Sequence, residues 1–452
     1  MRIIVVGIGK VGSLLASQLS AEGCDITVID TNQLILEEMI ETNDVMTVNG
    51  NGATMHALRN ANVESADLLI AVTSADEINL LCCMTAHALN SKLHTIARIR
   101  NPEYTEQIYN MRSDFALSMT FNPEKKAAAK IERLINFPGF LKQESFAKDR
   151  VEIVELRVDS NSKLNGVALR DLNAITKCQV LVCVVLRDGT AIMPDGDFVL
   201  KPDDRIYVTA PTNTLHILLK NLGIITHKVK RVLLAGGGRI SYYLAQNLLK
   251  SGYSVRIIDN DSKRCEELSN LLPNADIIYG DASSQSFLEE EGLDQCDAVV
   301  SLTGLDEMNI VISLYASDAK VQQVITKLGH VENTGILERL PIGSVVCPKE
   351  LSCNTVVRYV RAVRNQSGSA ISVHTIASGQ AEAIEFAVDK TTLHQDEPLK
   401  SLRIRKNVLI VCISHSGATE IPSGESKFHE GDTVIVVTKA NTVLLQLNDI
   451  FE

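Results

Sequence analysis

The chain repeats itself, and that repeat limits what it can fold into more than any other feature. Residues 1–6, followed by Gly7-Ile8-Gly9-Lys10-Val11-Gly12, return as residues 230–235 followed by Gly236-Gly237-Gly238-Arg239-Ile240-Ser241, an offset of 236 − 7 = 229. Asp30 returns as Asp259 at the same offset, and Gly50-Asn51 returns as Gly280-Asp281 at 280 − 50 = 230. Thr73-Ser74-Ala75-Asp76-Glu77-Ile78-Asn79 returns as Thr303-Gly304-Leu305-Asp306-Glu307-Met308-Asn309, and Ile96-Ala97-Arg98-Ile99 as Ile325-Thr326-Lys327-Leu328. The correspondence continues downstream: Glu155-Leu156-Arg157-Val158-Asp159 matches Glu385-Phe386-Ala387-Val388-Asp389, while Pro194 and Asp204 match Pro422 and Asp432. An ordered series of this kind is a tandem duplication of a unit of about 225 residues, and both copies must accept one architecture.

Within one unit, residues 2–6 form an apolar run closed by Gly7, as a buried parallel strand does. Helical spacing follows at Val11, Leu14, Leu15 and Leu19. Further strands are expected at 26–29, 45–48, 68–72 and 95–99, with helices at 34–40 and 76–90 between them. Alternating strands and helices predict an α/β fold with a doubly wound, Rossmann-like parallel sheet. Pro123 and Pro348 open one further helix in each unit, at a favoured first-turn position, and these helices are candidate hinges. Asn136-Phe137-Pro138-Gly139 then breaks the pattern, and a small α+β domain follows, with strands at 151–158, 180–187 and 205–210 and a helix at 212–221. The expected division is 1–136 and 229–364 for the two Rossmann-like domains, and 140–222 and 370–452 for the two α+β domains, with 222–230 as the link.

The glycines of the first unit have distinct tasks. Gly7 permits a tight turn, Gly9 lets backbone approach a pyrophosphate, and Gly12 allows close helix–strand packing. The helix that starts behind them offers unpaired N–H groups and a positive dipole end to an anion. Asp30 ends the second strand, 30 − 12 = 18 residues after Gly12. A carboxylate there accepts hydrogen bonds from ribose hydroxyls and repels a 2′-phosphate, which favours NAD, ATP or ADP over NADP. In the second unit Ser241 replaces the packing glycine, so its loop is either a second nucleotide site or a retained scaffold.

Other candidate residues each carry two readings. Thr73 and Ser74 contact ribose or phosphate, or cap the following helix. Asn51 contacts adenine, or is a turn residue in Asn49-Gly50-Asn51-Gly52. Arg98 reaches a phosphate as a forked donor, or sits in a buried ion pair. Lys125, Lys126 and Lys130 are expected on a solvated helix face. No proton donor or acceptor constellation accompanies the nucleotide motif, which argues for a sensor; the alternative is an NAD-dependent oxidoreductase.

Charge and composition exclude several classes. Lys plus Arg is 44 and Asp plus Glu is 55, so the net charge is −11; Trp is absent and aromatics are 4%. Such a chain is suited neither to a phosphodiester backbone nor to base stacking, and it should not bind anionic lipid on its own. No apolar run approaches a membrane span of about 20 residues, and the N-terminus reads as a first strand rather than a signal peptide. The ten cysteines include no CxxC pair and no metal-ligand cluster, so they are expected to be reduced, mostly buried small hydrophobes.

Taken in order, the glycine motif, Asp30, Gly50-Asn51, Thr73-Ser74-x-Asp76-Glu77-x-Asn79 and Ile96-Ala97-Arg98-Ile99-Arg100 resemble the RCK (KTN) nucleotide-binding family. The following module is similar to the RCK C-terminal domain, and the resemblance covers almost the whole chain. It implies a cytosolic, peripheral, non-enzymatic subunit on the inner face of the plasma membrane, forming a homotetrameric ring beneath an integral potassium transporter of the TrkH or TrkG type. It implies NAD(H) as ligand, with ATP and ADP as competing regulatory nucleotides. The implied cofactor-binding residues are Gly7, Ile8, Gly9, Lys10, Val11, Gly12, Asp30, Asn51, Thr73, Ser74 and Arg98. In the second unit they are Gly236, Gly237, Gly238, Arg239, Ile240, Asp259, Asp281, Thr303 and Lys327, with Ser241, Gly304 and Lys327 departing from the first unit.

Overall fold

A computed structural model describes residues 1–137, 140–147, 150–223, 229–329, 337, 340–364, 370–415, 418–440, 442, 444 and 446–452. Pro138-Gly139 of the expected chain break, and residues 224–228 of the expected link, lie outside the described residues.

The first six strands are β1 (Arg2–Val6), β2 (Asp25–Asp30), β3 (Met46–Asn49), β4 (Leu68–Ala71), β5 (His94–Arg98) and β6 (Met119–Phe121). They form one sheet in the order β3-β2-β1-β4-β5-β6, with every pairing parallel. The order reverses between β1 and β4, so the crevice at their C-terminal ends is where a doubly wound sheet places a ligand. Helices α1 (Lys10–Ala21), α2 (Gln33–Thr42), α3 (Met55–Asn60), α4 (Asp76–Leu89) and α5 (Pro102–Asn110) make the crossovers. β1 and β4 read as continuous apolar runs because both faces of the sheet are covered.

The second half repeats this layout from Arg231–Ala235 to Ser344–Val346, again as a six-stranded parallel sheet in the same relative order. Each α+β domain is a five-stranded antiparallel sheet. The first has strands at Lys142–Phe146, Val151–Arg157, Leu181–Arg187, Thr190–Ile192 and Arg205–Pro211. Numbered in chain order within its own domain, the strand order is 4-3-5-2-1 in the first and, read from the other edge, 4-3-5-2-1 in the second. The duplication therefore extends to topology. Short elements that lack a run of apolar residues were not expected from sequence: β6, α3, α5, and the edge strands Lys142–Phe146 and Thr190–Ile192. Edge strands of three to five residues show too little periodicity to stand out.

Compact units do not follow the repeat. One unit comprises residues 1–127 with 347–360; the other comprises 128–346 with 361–452. The division falls inside both of the helices that Pro123 and Pro348 open. In the first unit, Cys353, Val356, Val357 and Val360 join Val11, Leu15 and Leu19 in one core. In the second unit, strand residues of the two α+β domains share a core that includes Cys183, Tyr207, Val411 and Ile435. There Lys130 pairs with Glu144 at 3.3 Å, so it does not lie on a solvated face as expected; Lys125 and Lys126 are exposed.

Gly12 carries the tightest packing of the first repeat. A Cβ there would sit 1.9 Å from the Gly7 carbonyl oxygen, where the helix crosses the turn after β1. Gly12→Ala should therefore cost about 1–3 kcal/mol. Chemical unfolding checks this, and an unchanged midpoint would show that the helix shifts freely. In the second repeat Ser241 occupies the position, and its hydroxyl donates to the Gly236 carbonyl, so this helix start accommodates a Cβ.

Candidate functional site

The loop after β1 is fixed by backbone. Gly7 has φ +91°, and its N–H donates to the Ile29 carbonyl at 2.8 Å; a Cβ on Gly7 would meet Thr73 backbone at 2.8 Å. Gly236 has φ +108° and the same bond to Ile258. Glycine is required at both turns by the chain itself. Gly9 and Gly238 differ from these. Neither has positive φ, and a Cβ on either would meet nothing within 4 Å. Each is the N-cap of the helix behind it, with no side-chain cap and no acidic residue in the first turn. The first N–H groups of α1 therefore have no side-chain cap and no first-turn carboxylate to offset their partial positive charge. Lys10 and Arg239 follow, both exposed; Ile8 and Val11 are buried under the loop, and Ile240 is half-buried.

Asp30 and Asp259 close the loops from the side. Asp30 Oδ2 accepts from the Ile8 N–H at 2.7 Å and Oδ1 from the Asn32 N–H at 2.9 Å. Asp259 accepts from Gly237 N–H at 2.5 Å and Asp261 N–H at 2.9 Å. Each carboxylate is thereby aimed at the glycine loop before any ligand arrives.

The far side of the crevice is organised by a residue to which sequence reasoning gave no role. Asn79 is fully buried. Its Oδ1 accepts from the Thr73 N–H at 2.7 Å and the Thr73 hydroxyl at 2.8 Å, and its Nδ2 donates to the Arg98 carbonyl at 2.9 Å. Asn309 makes the equivalent bonds to Thr303 and Lys327. Asp76 completes the brace: its Oδ2 accepts from the Arg100 and Asn101 N–H groups at 2.8 and 2.7 Å. The recurrence of Asp-Glu-x-Asn at one offset was the signal that could have found it.

This settles several alternatives for the protein's own bonds. Thr73 and Ser74 do not cap α4: the N-cap is Ala75, whose methyl offers no acceptor, and the Thr73 hydroxyl is turned to Asn79 and the Ala75 carbonyl. Ser74 is exposed, as is Gly304. Asn51 accepts from the Ala53 N–H at 3.0 Å, and Asp281 accepts from Ser283 at 2.9 Å, so both build the turn. That N–H also holds Asp281 below the usual carboxylate range. Arg98 donates to the Thr73 carbonyl at 2.6 Å, and Lys327 donates to the Thr303 carbonyl at the same distance. The exchange of guanidinium for ammonium leaves that contact intact.

All ten cysteines are free thiols, eight of them buried. Burial pushes Cys82, Cys183, Cys353 and Cys412 up to about 12, and Cys83 higher still. An unfolded thiol titrates near 8.5, so above that pH the unfolded chain releases protons that the folded chain keeps. Stability should therefore fall as pH rises from about 8.5 towards 12. Urea midpoints at pH 8 and pH 10 test this; a rise would contradict it.

The TrkA-N domain family matches residues 3–119 and 232–348, and the TrkA-C domain family matches residues 153–223. The Trk system potassium uptake protein TrkA homolog of Archaeoglobus fulgidus is 32% identical, over 97% of each chain. The chain belongs to the TrkA family. The TrkA protein of Haemophilus influenzae is 28% identical, over 100% of this chain and 99% of its own. Among solved structures, the GsuK RCK domain overlays at a TM-score of 0.62 with 17% identity, covering 96% of this chain and 92% of that one. The GsuK channel bound to NAD overlays at 0.61 with 18% identity, covering 97% and 76%. These overlays agree with the tandem RCK-type fold. Among the described residues, no helix of this TrkA-family chain is long and apolar enough to cross a membrane.

Proposed function

We propose that the chain is the nucleotide-responsive regulatory subunit of a membrane potassium-uptake transporter. NAD(H) is its principal ligand, in the first Rossmann crevice, and ATP and ADP compete for it. One observation carries the nucleotide reading: Gly9 lacks a Cβ that no part of the chain would fill, above uncapped helix N–H groups and beside Asp30. The protein's own packing leaves that glycine unexplained; close approach by a pyrophosphate explains it. Gly7, Ile8, Gly9, Lys10, Val11 and Gly12 cradle the phosphates, Asp30 accepts from ribose, and Asn51, Thr73, Ser74 and Arg98 border the crevice. In the second repeat Gly236, Gly237, Gly238, Arg239, Ile240, Asp259, Asp281, Thr303 and Lys327 border the corresponding one. The repeat domains divide at 1–136, 140–222, 229–364 and 370–452.

The names of the relatives support the transport role, and the lack of a recognisable proton-transfer constellation supports binding over turnover. Nucleotide acts by binding one state of the regulator better than another, and it shifts transport by no more than that difference. The subunit works in the cytoplasm as a homotetrameric ring, peripheral to the membrane through a partner of the TrkH or TrkG type. A thermal-shift screen of the full chain against NAD, NADH, ATP, ADP and NADPH tests the reading. A ligand at 100 times its Kd should stabilise by about 2.7 kcal/mol. No shift with any nucleotide, or steady oxidation of NADH, would overturn it. The acidic chain should also fail to sediment with pure anionic liposomes unless the partner is present; sedimentation without it would contradict the proposed route to the membrane.

A further inference from the structure

The two glycine loops are flanked by different chemistry. At the start of α2 the first repeat carries Leu34 and Ile35; an offset of 229 places Lys263 and Arg264 at the same points of the Ser262–Leu271 helix. Leu34 is exposed and Ile35 packs on the apolar core of its sheet. Arg264 instead turns to the glycine loop, where its Nε donates to the Gly237 carbonyl at 2.7 Å. The N–H of the same Gly237 donates to Asp259. One residue of the loop is thus held by a carboxylate on one side and a guanidinium on the other. Asp261 adds a carboxylate where the first repeat has Asn32, but that group is spent on the N–H groups of Lys263 and Arg264.

In a fold of this kind the end of the second strand faces the adenosine ribose; a carboxylate there reads the 2′-hydroxyl, and a nearby arginine accommodates a 2′-phosphate. We infer that the second crevice takes adenosine nucleotides phosphorylated on the ribose 2′-oxygen, with Arg264 as the specificity-determining residue, while the first crevice rejects them. This rests on the nucleotide reading above. Among the described residues the side-chain partner of the guanidinium is Glu267, at 2.6 Å and 58% exposed. Glu267 faces solvent while Arg264 is only 23% exposed, and a dianion, which the planar fork binds in two-pronged fashion, competes well with this single carboxylate. Asp30 and Asp259 each accept from two backbone N–H groups, so the crevices differ in the guanidinium rather than in the carboxylate.

Calorimetric titration of the full chain tests this, with NADPH and adenosine 2′,5′-bisphosphate as probes and NADH and AMP as their counterparts lacking the 2′-phosphate. NADPH should bind one site per chain, and that binding should survive Asp30→Ala. Arg264→Ile, which installs the first-repeat residue, should weaken NADPH and the bisphosphate roughly 10- to 100-fold and leave NADH unchanged. Arg264→Lys should fall between. Glu267→Gln, which keeps Arg264 in place and frees it, should tighten the 2′-phosphorylated probes, a gain that a structural role for Arg264 would not produce. If NADH binds but NADPH does not, or binds independently of Arg264, the specificity assignment is wrong and the nucleotide reading stands. If none of the probes binds, both fall together.

Discussion

Asp30→Ala should remove most high-affinity NAD binding, by roughly 100-fold, while Asp259→Ala should leave it within about threefold. The magnitude follows from two charge-assisted hydrogen bonds to ribose at the lower end of their range, about 1.5 kcal/mol each, where about 1.4 kcal/mol is tenfold. The substitution also releases the Ile8 and Asn32 N–H groups that Asp30 holds at 2.7 and 2.9 Å, so the loop loses its preset position. Asp259 is equally well placed, yet the second crevice presents Arg264 and suits a more anionic ligand. Calorimetry on both variants decides. Equal losses, or a larger one from Asp259→Ala, would show that the principal NAD site lies in the other repeat.

Asn79→Ala should be the most destabilising single change at the crevice, by about 3–4 kcal/mol. Three bonds at or below 2.9 Å are lost at a side chain with no exposure, and the Thr73 N–H and hydroxyl lose their acceptor. Because the bonds tie the end of β4 to the end of β5, nucleotide affinity should fall along with stability. Denaturant unfolding of the variant and of Asn309→Ala gives the comparison. A loss below about 1 kcal/mol would mean that the strand ends are held by other contacts.

Much of the architecture was legible in the sequence. The central parallel strands declare themselves as apolar runs, β1 closed by Gly7 and β2 by Asp30, and the duplication supplies these signals twice. Gly7, Gly12 and Asp30 could be given tasks because backbone turn, helix packing and ribose recognition impose residue types at fixed spacing. The tie between Thr73 and Asn79 was signalled only by the recurrence of Asp-Glu-x-Asn, because threonine before a helix satisfies a capping pattern equally well and the choice depends on where Asn79 points. Arg264 was invisible for a related reason. Its helix start looks like any solvated first turn until the fold brings Gly237 within 2.7 Å.

Potassium flux through the membrane subunit, reconstituted in liposomes with the full chain, tests the central claim most directly. Flux should change on adding NADH or ATP in the presence of wild-type protein, and the NADH response should disappear with Asp30→Ala while the variant still associates with the partner. Flux that follows association alone, identical with and without nucleotide, would contradict the account.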